Sequence, residues 1–295
     1  MEPDPFAGIV VRCLLLKGRH ASVSMNLCSV PDLRDLLLRH GLSPTKRWGQ
    51  HFLVSERVVS SILGSVPPCT QSILEVGPGP GVLTAELSSH YEVIAVEIDP
   101  IAVSALSESA PRAKVIMGDA LDTDLAAVLE ELPEPRIIVS NMPYNITGPL
   151  LTSFTARRKQ AAGMIVMMQK EVAQRILAQP GDREMGSLSV MLQSRFEISK
   201  VIDAPASAFY PPPKVDSCVL RLVPIQTGWA DAFDQFHERI VRQGFAQPRK
   251  TLANNLKVHS FDPTEEGWSP TIRPHQLTIA NWETLARALE LRTSQ

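Results

Sequence analysis

The chain contains few cysteines, no long apolar run and almost no net charge. Its four cysteines, at positions 13, 28, 69 and 218, form no C-x-x-C pair. This distribution gives no signal of a zinc site or a disulfide framework and is typical of a reducing compartment. The histidines show no ligand spacing, so we predict no metal site. No apolar stretch approaches the ~20 residues that a membrane helix needs.

The net charge of −2 excludes a protein that is basic over its whole surface. The charges are unevenly spread, however. Residues 236–258 hold five basic residues against one acidic residue, whereas residues 119–134 hold six acidic residues and no basic one. This asymmetry suits local contact with an anionic polymer. We predict phosphate contacts from Arg249 and Lys250, and from a second basic cluster that consists of Arg157, Arg158 and Lys159.

Residues 1–30 differ from the rest of the chain. The stretch "GIVVRCLLLKGRH" is apolar with basic interruptions, and its apolar runs are too short for the core of a signal peptide. Two interpretations remain open: an upstream extension with Met25 as the natural start, or a short organelle-targeting arm. We expect these residues to be an unstructured extension, and we assign them no function.

From residue 31 the sequence alternates between helical and strand patterns, with a first helix at 31–40. Short apolar runs predict strands at 72–76, 92–97, 114–117, 136–139 and 163–168, with two more at 195–202 and 216–223. Alternation of this kind predicts a parallel sheet with helices on both faces, which is a Rossmann-like α/β fold. Past about residue 226 only helical patterns remain. We therefore predict a catalytic domain at 31–225 and a smaller all-helical domain at 226–295.

A glycine-rich loop, "EVGPGPGVLT" at residues 75–84, lies between the first of these strands and a helix. Its glycines, Gly77, Gly79 and Gly81, indicate a close approach of the backbone to a ligand. Their spacing is G-x-G-x-G, not the G-x-G-x-x-G of dinucleotide sites, which disfavours an NAD-linked oxidoreductase. Pro78 and Pro80 have no N–H groups to offer a pyrophosphate. The loop therefore suits a ligand without phosphates, such as S-adenosylmethionine.

Two carboxylates follow the next two strands. Glu97 ends the second strand, 20 residues after Gly77, where an acid can accept hydrogen bonds from both ribose hydroxyls. Asp119, in "MGDAL", follows the third strand, where its carboxylate can reach an adenine amino group. Because both acids stand at strand ends behind the glycine loop, we predict that they bind the cofactor.

The fourth strand runs into Asn141-Met142-Pro143-Tyr144. The amine of adenine is a poor nucleophile, because its lone pair is delocalised into the ring. Two acceptors aimed at its N–H bonds would expose that lone pair. Asn141 offers its side-chain carbonyl, and Pro143 forces Met142 into an extended conformation that can present the Met142 backbone carbonyl. Tyr144 offers a flat face for an extruded base. We predict that these residues bind a flat, amine-bearing base.

Longer motifs occur in order along residues 31–292. They are "GQHFLVSERVV", "EVGPGPGVLT", "VEID", "GDAL", "NMPYNIT", "MQKEVAQRI", "GSLSVMLQ", "APASAFYPPPKVDSCVLRL" and "FAQPRKTLANNL". Together they resemble the ribosomal RNA adenine N6,N6-dimethyltransferases, which modify two adjacent adenosines near the 3′ end of small-subunit RNA. The resemblance implies a class I S-adenosylmethionine-dependent methyltransferase fold, a cytoplasmic monomer with no membrane partner, and an additional role in small-subunit biogenesis.

The resemblance also implies roles for individual residues. His51 and Leu53 would contact the methionine part of the cofactor, Glu75, Gly77, Gly79 and Gly81 would form its loop, and Glu97 and Asp119 would hold its ribose and adenine. Asn141 would lie beside the methyl group. Phe209, in "AFYPPPKVDS", would close over the face of the target base opposite Tyr144. Family members usually carry Leu at the position of Met142, but the implied contact with the target amine uses only the backbone carbonyl of this residue.

Two related alternatives remain open. One is the antibiotic-resistance methylase of large-subunit RNA, which has the same catalytic motif; "PPPKVDS" and "RKTLANNL" favour the small-subunit enzyme instead. The other is a relative that keeps the fold and binds RNA without catalysis. The presence of Glu97, Asp119 and Asn141 disfavours a purely structural role.

Overall fold

The structure is a computed structural model that describes residues 26–44 and 50–293. The strands are β1 Phe52–Leu53, β2 Ser72–Val76, β3 Glu92–Glu97, β4 Lys114–Met117, β5 Arg136–Asn141, β6 Gly163–Gln169, β7 Phe196–Ala204, β8 Phe209–Tyr210 and β9 Ser217–Pro224. The α-helices are α1 Val30–His40, α2 Glu56–Gly64, α3 Val82–Leu87, α4 Pro100–Ser109, α5 Leu125–Glu130, α6 Thr147–Ala156, α7 Lys170–Leu177, α8 Ser187–Gln193, α9 Asp231–Gly244, α10 Leu252–Asn255 and α11 Ile279–Thr293. In the described part of the chain, no helix has the length and apolar character to cross a bilayer.

Seven strands form the main sheet, in the order β4-β3-β2-β5-β6-β9-β7. The strands from β4 to β6 are parallel, as predicted, and helices connect them. The last two strands correct the prediction of a parallel sheet, because β9 pairs antiparallel with both β6 and β7. The physical reason is the short connection at 205–216, which has no crossover helix. Without a crossover, a strand can return beside its neighbour only in the opposite direction.

The central strands are apolar because both faces of the sheet are covered. Successive residues of β2 point to opposite faces, so Ile73 packs in one apolar cluster with α1 to α4 and Leu74 packs in another with α5 to α7. A third cluster lies around the buried Trp282 and joins α9 and α11 to Val190 and Met191 of α8. The division into domains at residue 225 stays a prediction.

The predicted extension ends earlier than residue 30. Leu27 is buried in the first apolar cluster, and Asn26 Nδ2 donates to Glu56 Oε1 of α2 at 2.9 Å. These contacts place residues 26–29 against the folded part of the chain. The rest of that prediction, with Met25, lies outside the described residues.

A buried ion cluster holds α9 against the sheet-bearing part of the chain. Asp234 of α9 pairs with Arg158, just after α6, at 2.6 Å and with Arg195, just after α8, at 2.7 Å. The Arg158 and Arg195 side chains are only 8% and 1% exposed. This burial corrects the prediction that Arg158 contacts RNA. Its neighbour Lys159 is exposed and pairs with Asp231, while Arg157 donates to Ser153.

Candidate active site

A cavity of about 250 Å³ opens at the carboxyl ends of β2, β3 and β5. Most of the predicted cofactor and base contacts line it: His51, Leu53, Glu75, Gly77, Gly79, Glu97, Asp119, Asn141, Met142, Pro143 and Tyr144. Carboxyl ends of parallel strands meet at one edge of a sheet, which is where ligands of open α/β sheets bind. Gly81 and Phe209, which were also predicted for the site, are not part of the cavity wall.

The three loop glycines all have positive φ angles, a backbone conformation that residues with a side chain rarely adopt. A Cβ on Gly79 would lie 3.0 Å from the Phe52 ring, and one on Gly77 would lie 3.6 Å from the Pro143 ring. A Cβ on Gly81 would lie 2.4 Å from Ser109 Oγ. Gly81 therefore allows α3 to pack closely against α4, and Gly79 allows the loop to pack closely against the Phe52 ring, whereas a Cβ on Gly77 would make only an ordinary contact.

The carboxylate of Glu97 is held by the backbone. Its Oε2 accepts a hydrogen bond from Gly79 N at 2.9 Å, and its Oε1 accepts one from Asp99 N at 3.0 Å. Burial raises the pKa of Glu97, while these hydrogen bonds lower it. At the end of β4, Asp119 Oδ1 accepts from Leu121 N at 2.8 Å. Both carboxylates are therefore fixed in the cavity wall.

Glu75 is fully buried, and its Oε2 has no hydrogen-bond partner in the described part of the chain. Burial and, to a lesser degree, the charge of Glu97 raise the pKa of Glu75 to about 8. Glu75 is therefore mostly protonated at neutral pH in the free protein. A buried carboxyl with an unused oxygen is a position at which a ligand can supply the missing partner.

Asn141 presents one defined side of its amide to the cavity. Its side-chain amide lies 3.4 Å from the backbone oxygen of His51. A carbonyl oxygen only accepts, so the contacting atom of Asn141 is the donor Nδ2. The acceptor Oδ1 is therefore the atom left for another ligand. Ser140, just before it, donates to the Val76 carbonyl at 2.8 Å and fixes the end of β5 against β2.

Tyr144 is held from two sides. Its hydroxyl lies 2.7 Å from Ser217 Oγ at the start of β9, and its ring stacks on His51 with centroids 5.6 Å apart. Burial raises the pKa of Tyr144, so the phenol stays neutral. Sequence reasoning assigned no role to Ser217, although it ends the quoted segment "PPPKVDS". The only sequence feature that could have indicated a role for Ser217 is a hydroxyl at the start of a strand, and this feature is too common to be specific.

The two-stranded sheet of β1 and β8 joins distant parts of the sequence beside the cavity. Phe52 pairs with Tyr210, and Leu53 pairs with Phe209. Tyr210 in turn accepts a hydrogen bond from Arg34 of α1 at 2.9 Å. Phe209 is 3% exposed and packs in the first apolar cluster, and it does not line the cavity. Its predicted contact with a base stays a prediction.

Arg249 and Lys250 lie exposed in the turn between α9 and α10. The structure shows no ion pair for either residue in the described part of the chain, which leaves both charges available to a partner. No group of three or more potential metal ligands occurs among residues 26–44 and 50–293.

Comparison with known proteins gave concordant results. The family described as "Ribosomal RNA adenine dimethylase" matches residues 42–269. The "Ribosomal RNA small subunit methyltransferase A" of Chromobacterium violaceum is 39% identical over 253 residues, which are 83% of this chain and 95% of that protein. The protein of the same description from Phenylobacterium zucineum is 38% identical over 273 residues, with 90% of this chain and 94% of the relative covered.

Solved structures show the same fold. A dimethyladenosine transferase from Plasmodium falciparum superposes with a TM-score of 0.67 and 26% identity, covering 82% of this chain and 98% of that one. The 23S rRNA methyltransferase ErmE superposes with a TM-score of 0.60 and 23% identity, covering 81% and 99%. The second likeness concerns the fold alone.

Proposed function

Because this chain belongs to the ribosomal RNA adenine dimethylase family, we propose that it converts two adjacent adenosines near the 3′ end of small-subunit ribosomal RNA to N6,N6-dimethyladenosines. The methyl donor is S-adenosylmethionine. The observation that supports this function most directly is the position of Asn141 and Tyr144 in the cavity formed by the glycine loop. We further propose that the enzyme acts as a cytoplasmic monomer and has a second role in small-subunit assembly.

The cavity residues fit the proposed cofactor. Glu97 would accept hydrogen bonds from the ribose hydroxyls, and Asp119 would accept one from the adenine amine. The unpartnered Oε2 of Glu75 suits the positively charged amino group of the methionine part. Gly77 and Gly79 line the cavity with positive φ angles, a backbone conformation that residues with a side chain rarely adopt. When bound, the cofactor supplies an electrophilic methyl group on a sulfonium.

The protein's part in the chemistry is to position and expose the target amine. The free Oδ1 of Asn141 and the backbone carbonyl of Met142 would accept hydrogen bonds from the N6 amine. These two hydrogen bonds would reduce the delocalisation of the N6 lone pair into the ring. No described hydrogen bond engages that Met142 carbonyl, while Met142 N donates to Met167 O at 3.0 Å and fixes the loop. Tyr144 would stack on the base, a contact worth about 1–3 kcal/mol.

Transfer of labelled methyl groups tests the proposed function. Small-subunit particles that lack the modification are expected to accept label, and nucleoside analysis is expected to find it as N6,N6-dimethyladenosine. Large-subunit RNA is the control for the antibiotic-resistance methylase. Label that appears only in large-subunit RNA, or in neither RNA, would contradict the proposal.

Glu97→Ala is expected to weaken cofactor binding by roughly 2–4 kcal/mol, because two charge-assisted hydrogen bonds to the ribose are lost. Calorimetry with wild type and variant measures the change. Glu92→Ala, at the exposed opposite end of the same strand, is the matched control and should bind normally. Unchanged affinity in Glu97→Ala would place the ribose elsewhere.

Arg249→Ala combined with Lys250→Ala is expected to weaken binding to RNA or small subunits while cofactor affinity stays unchanged. Loss of two phosphate contacts should make the slope of log affinity against log salt shallower by about one to two units. A salt titration of binding measures both effects. Arg112→Ala combined with Lys114→Ala removes the same charge near the exposed start of β4 and serves as the control. Coincident slopes and affinities would show that the docking surface does not include Arg249 and Lys250.

A further inference from the structure

Ser217 is a fully buried residue whose hydroxyl has a single partner. It begins β9 and is 0% exposed. Its Oγ lies 2.7 Å from the hydroxyl oxygen of Tyr144. Within residues 26–44 and 50–293, neither hydroxyl forms another hydrogen bond. Each of the two hydroxyl groups therefore satisfies the other, as buried polar groups require.

The backbone of Ser217 is held on both sides by the main sheet. It pairs with Gln169 of β6 on one side and with Ala204 of β7 on the other. Immediately before it, Lys170 N donates to the Asp216 carbonyl oxygen at 2.9 Å. A residue with paired strands on both sides cannot shift without breaking ladder hydrogen bonds. Ser217 is therefore a fixed point from which its hydroxyl can hold another group.

Tyr144 has no such support from its own backbone, because it stands in the connection between β5 and α6. Its ring lines the cavity and stacks on the His51 ring, with planes 29° apart. The stack limits the tilt of the Tyr144 ring, and the hydrogen bond with Ser217 fixes the hydroxyl end. Together the two contacts define the plane of the ring.

The plane of Tyr144 determines where a stacked base presents its amine. Aromatic rings that stack lie with their planes close to parallel, so the base takes its orientation from the tyrosine. The proposed acceptor for the amine, Asn141 Oδ1, is positioned separately, through the contact of Asn141 with the His51 backbone oxygen. The amine reaches that acceptor only if the plane of the base is also correct.

A second buried serine shows what a hydrogen bond of the same kind does far from the cavity. Ser72 is also 0% exposed, and its Oγ donates to the Pro133 carbonyl oxygen at 2.5 Å. It begins β2, at the edge of the sheet opposite the cavity, and it does not line the cavity. Its hydroxyl therefore contributes to the fold alone, whereas the partner of Ser217 is a cavity residue.

We propose, on the basis of the proposed function, that Ser217 is a positioning residue for methyl transfer. Its hydroxyl holds the Tyr144 ring in the plane that places the N6 amine of the stacked base beside Asn141 Oδ1. Ser217 does not touch the base and acts only through the tyrosine hydroxyl.

The effect should appear in the rate and hardly in the affinities. A misplacement of roughly 1 Å between reacting atoms can cost about 10²-fold in rate. The affinity for RNA comes mainly from phosphate contacts, which Ser217 does not make. The cofactor residues Glu97 and Asp119 are on other strands and keep their own hydrogen bonds.

Ser217→Ala tests the inference, since it removes the hydroxyl and adds no bulk. We expect the single-turnover rate at saturating RNA to fall by about 10- to 100-fold, while cofactor and RNA affinities change little. Ser72→Ala is the matched control: it should lower the melting temperature to a similar extent and keep the wild-type rate. A Ser217→Ala rate equal to that of wild type would overturn the role of Ser217, as would a loss of affinity that accounts for the fall.

Tyr144→Phe removes the same hydrogen bond from the other side and keeps the aromatic ring. Its rate should fall as in Ser217→Ala. Because Ser217 acts only through the tyrosine hydroxyl, adding Ser217→Ala to Tyr144→Phe should change the rate by no more than about twofold. Independent losses that multiply in the double variant would show that Ser217 acts by another route and would overturn the inference.

A further measurement does not depend on turnover. The chain has three tyrosines, so carbon-13 labelling of tyrosine rings gives few signals, and Tyr144 is identified by their loss in Tyr144→Phe. The Tyr144 ring signals should shift or broaden in Ser217→Ala and stay unchanged in Ser72→Ala. Unchanged signals in Ser217→Ala would overturn the inference alone. A wild type that methylates no adenine would overturn the proposed function, and with it the role of Ser217 in placing the amine.

Discussion

Asn141→Ala should lower the rate of methylation by at least about 10²–10³-fold, the usual cost of removing one preorganised polar group that acts on the reacting centre. The variant loses Oδ1, the acceptor that would expose the N6 lone pair. It also loses Nδ2 and so the contact with the His51 backbone oxygen. Single-turnover methylation of small-subunit particles measures the effect.

Two controls separate this effect from misfolding and from loss of the cofactor. Cofactor affinity, measured by calorimetry, and the melting temperature should both stay close to those of the wild type, since Glu97 and the glycine loop are unchanged. Asn141→Asp keeps an acceptor oxygen and should retain more activity than the alanine variant. Near-normal turnover in Asn141→Ala would disprove the proposed amine contact.

Asp234→Asn should destabilise the protein by about 3–5 kcal/mol, because it leaves two buried guanidinium groups without their counter-charge. The side chains concerned, Arg158 and Arg195, are almost fully buried, and burial lowers the pKa of Arg195 while Asp234 raises it. Urea unfolding, monitored by circular dichroism, gives the change in free energy.

Asp231→Asn is the matched control for this prediction. Asp231 lies one turn earlier on the same helix and pairs with Lys159, but the two side chains are 80% and 61% exposed. An exposed pair of this kind contributes no more than about 1 kcal/mol. Equal losses in the two variants would mean that the burial of the Asp234 cluster has no energetic consequence.

The seven strands of the main sheet could be predicted from the sequence to within two residues, whereas the two-residue strands β1 and β8 were not predicted. A strand buried on both faces must be apolar throughout, and runs such as 72–76 carry that signal directly. The sequence predicted that β7 and β9 are strands, but it did not predict that β9 runs antiparallel to its neighbours. Strand direction depends on the length of the connection at 205–216, and local composition does not specify it.

The wall of the cavity could be predicted for a similar reason. Glu97 and Asn141 end parallel strands and Asp119 follows one, and topology alone brings such positions together. The contacts of Ser217 and Pro211 depend on β9 and β8, which reach the site from far along the chain. The burial of Arg158 could not be predicted either, since a run of three basic residues is typical of a solvated surface until its partner on α9 is known.

The pairing of β1 with β8 joins residues separated by more than 150 positions, and it has a consequence for synthesis. A nascent chain that has emerged only as far as β6 already contains the glycine loop, Glu97, Asp119 and Asn141. It lacks Pro211 for His51 and Ser217 for Tyr144. Long-range pairings of this kind also form slowly. The part of the cavity proposed to hold the base therefore forms late, and a truncated chain can contain the proposed cofactor residues without the contacts that position His51 and Tyr144.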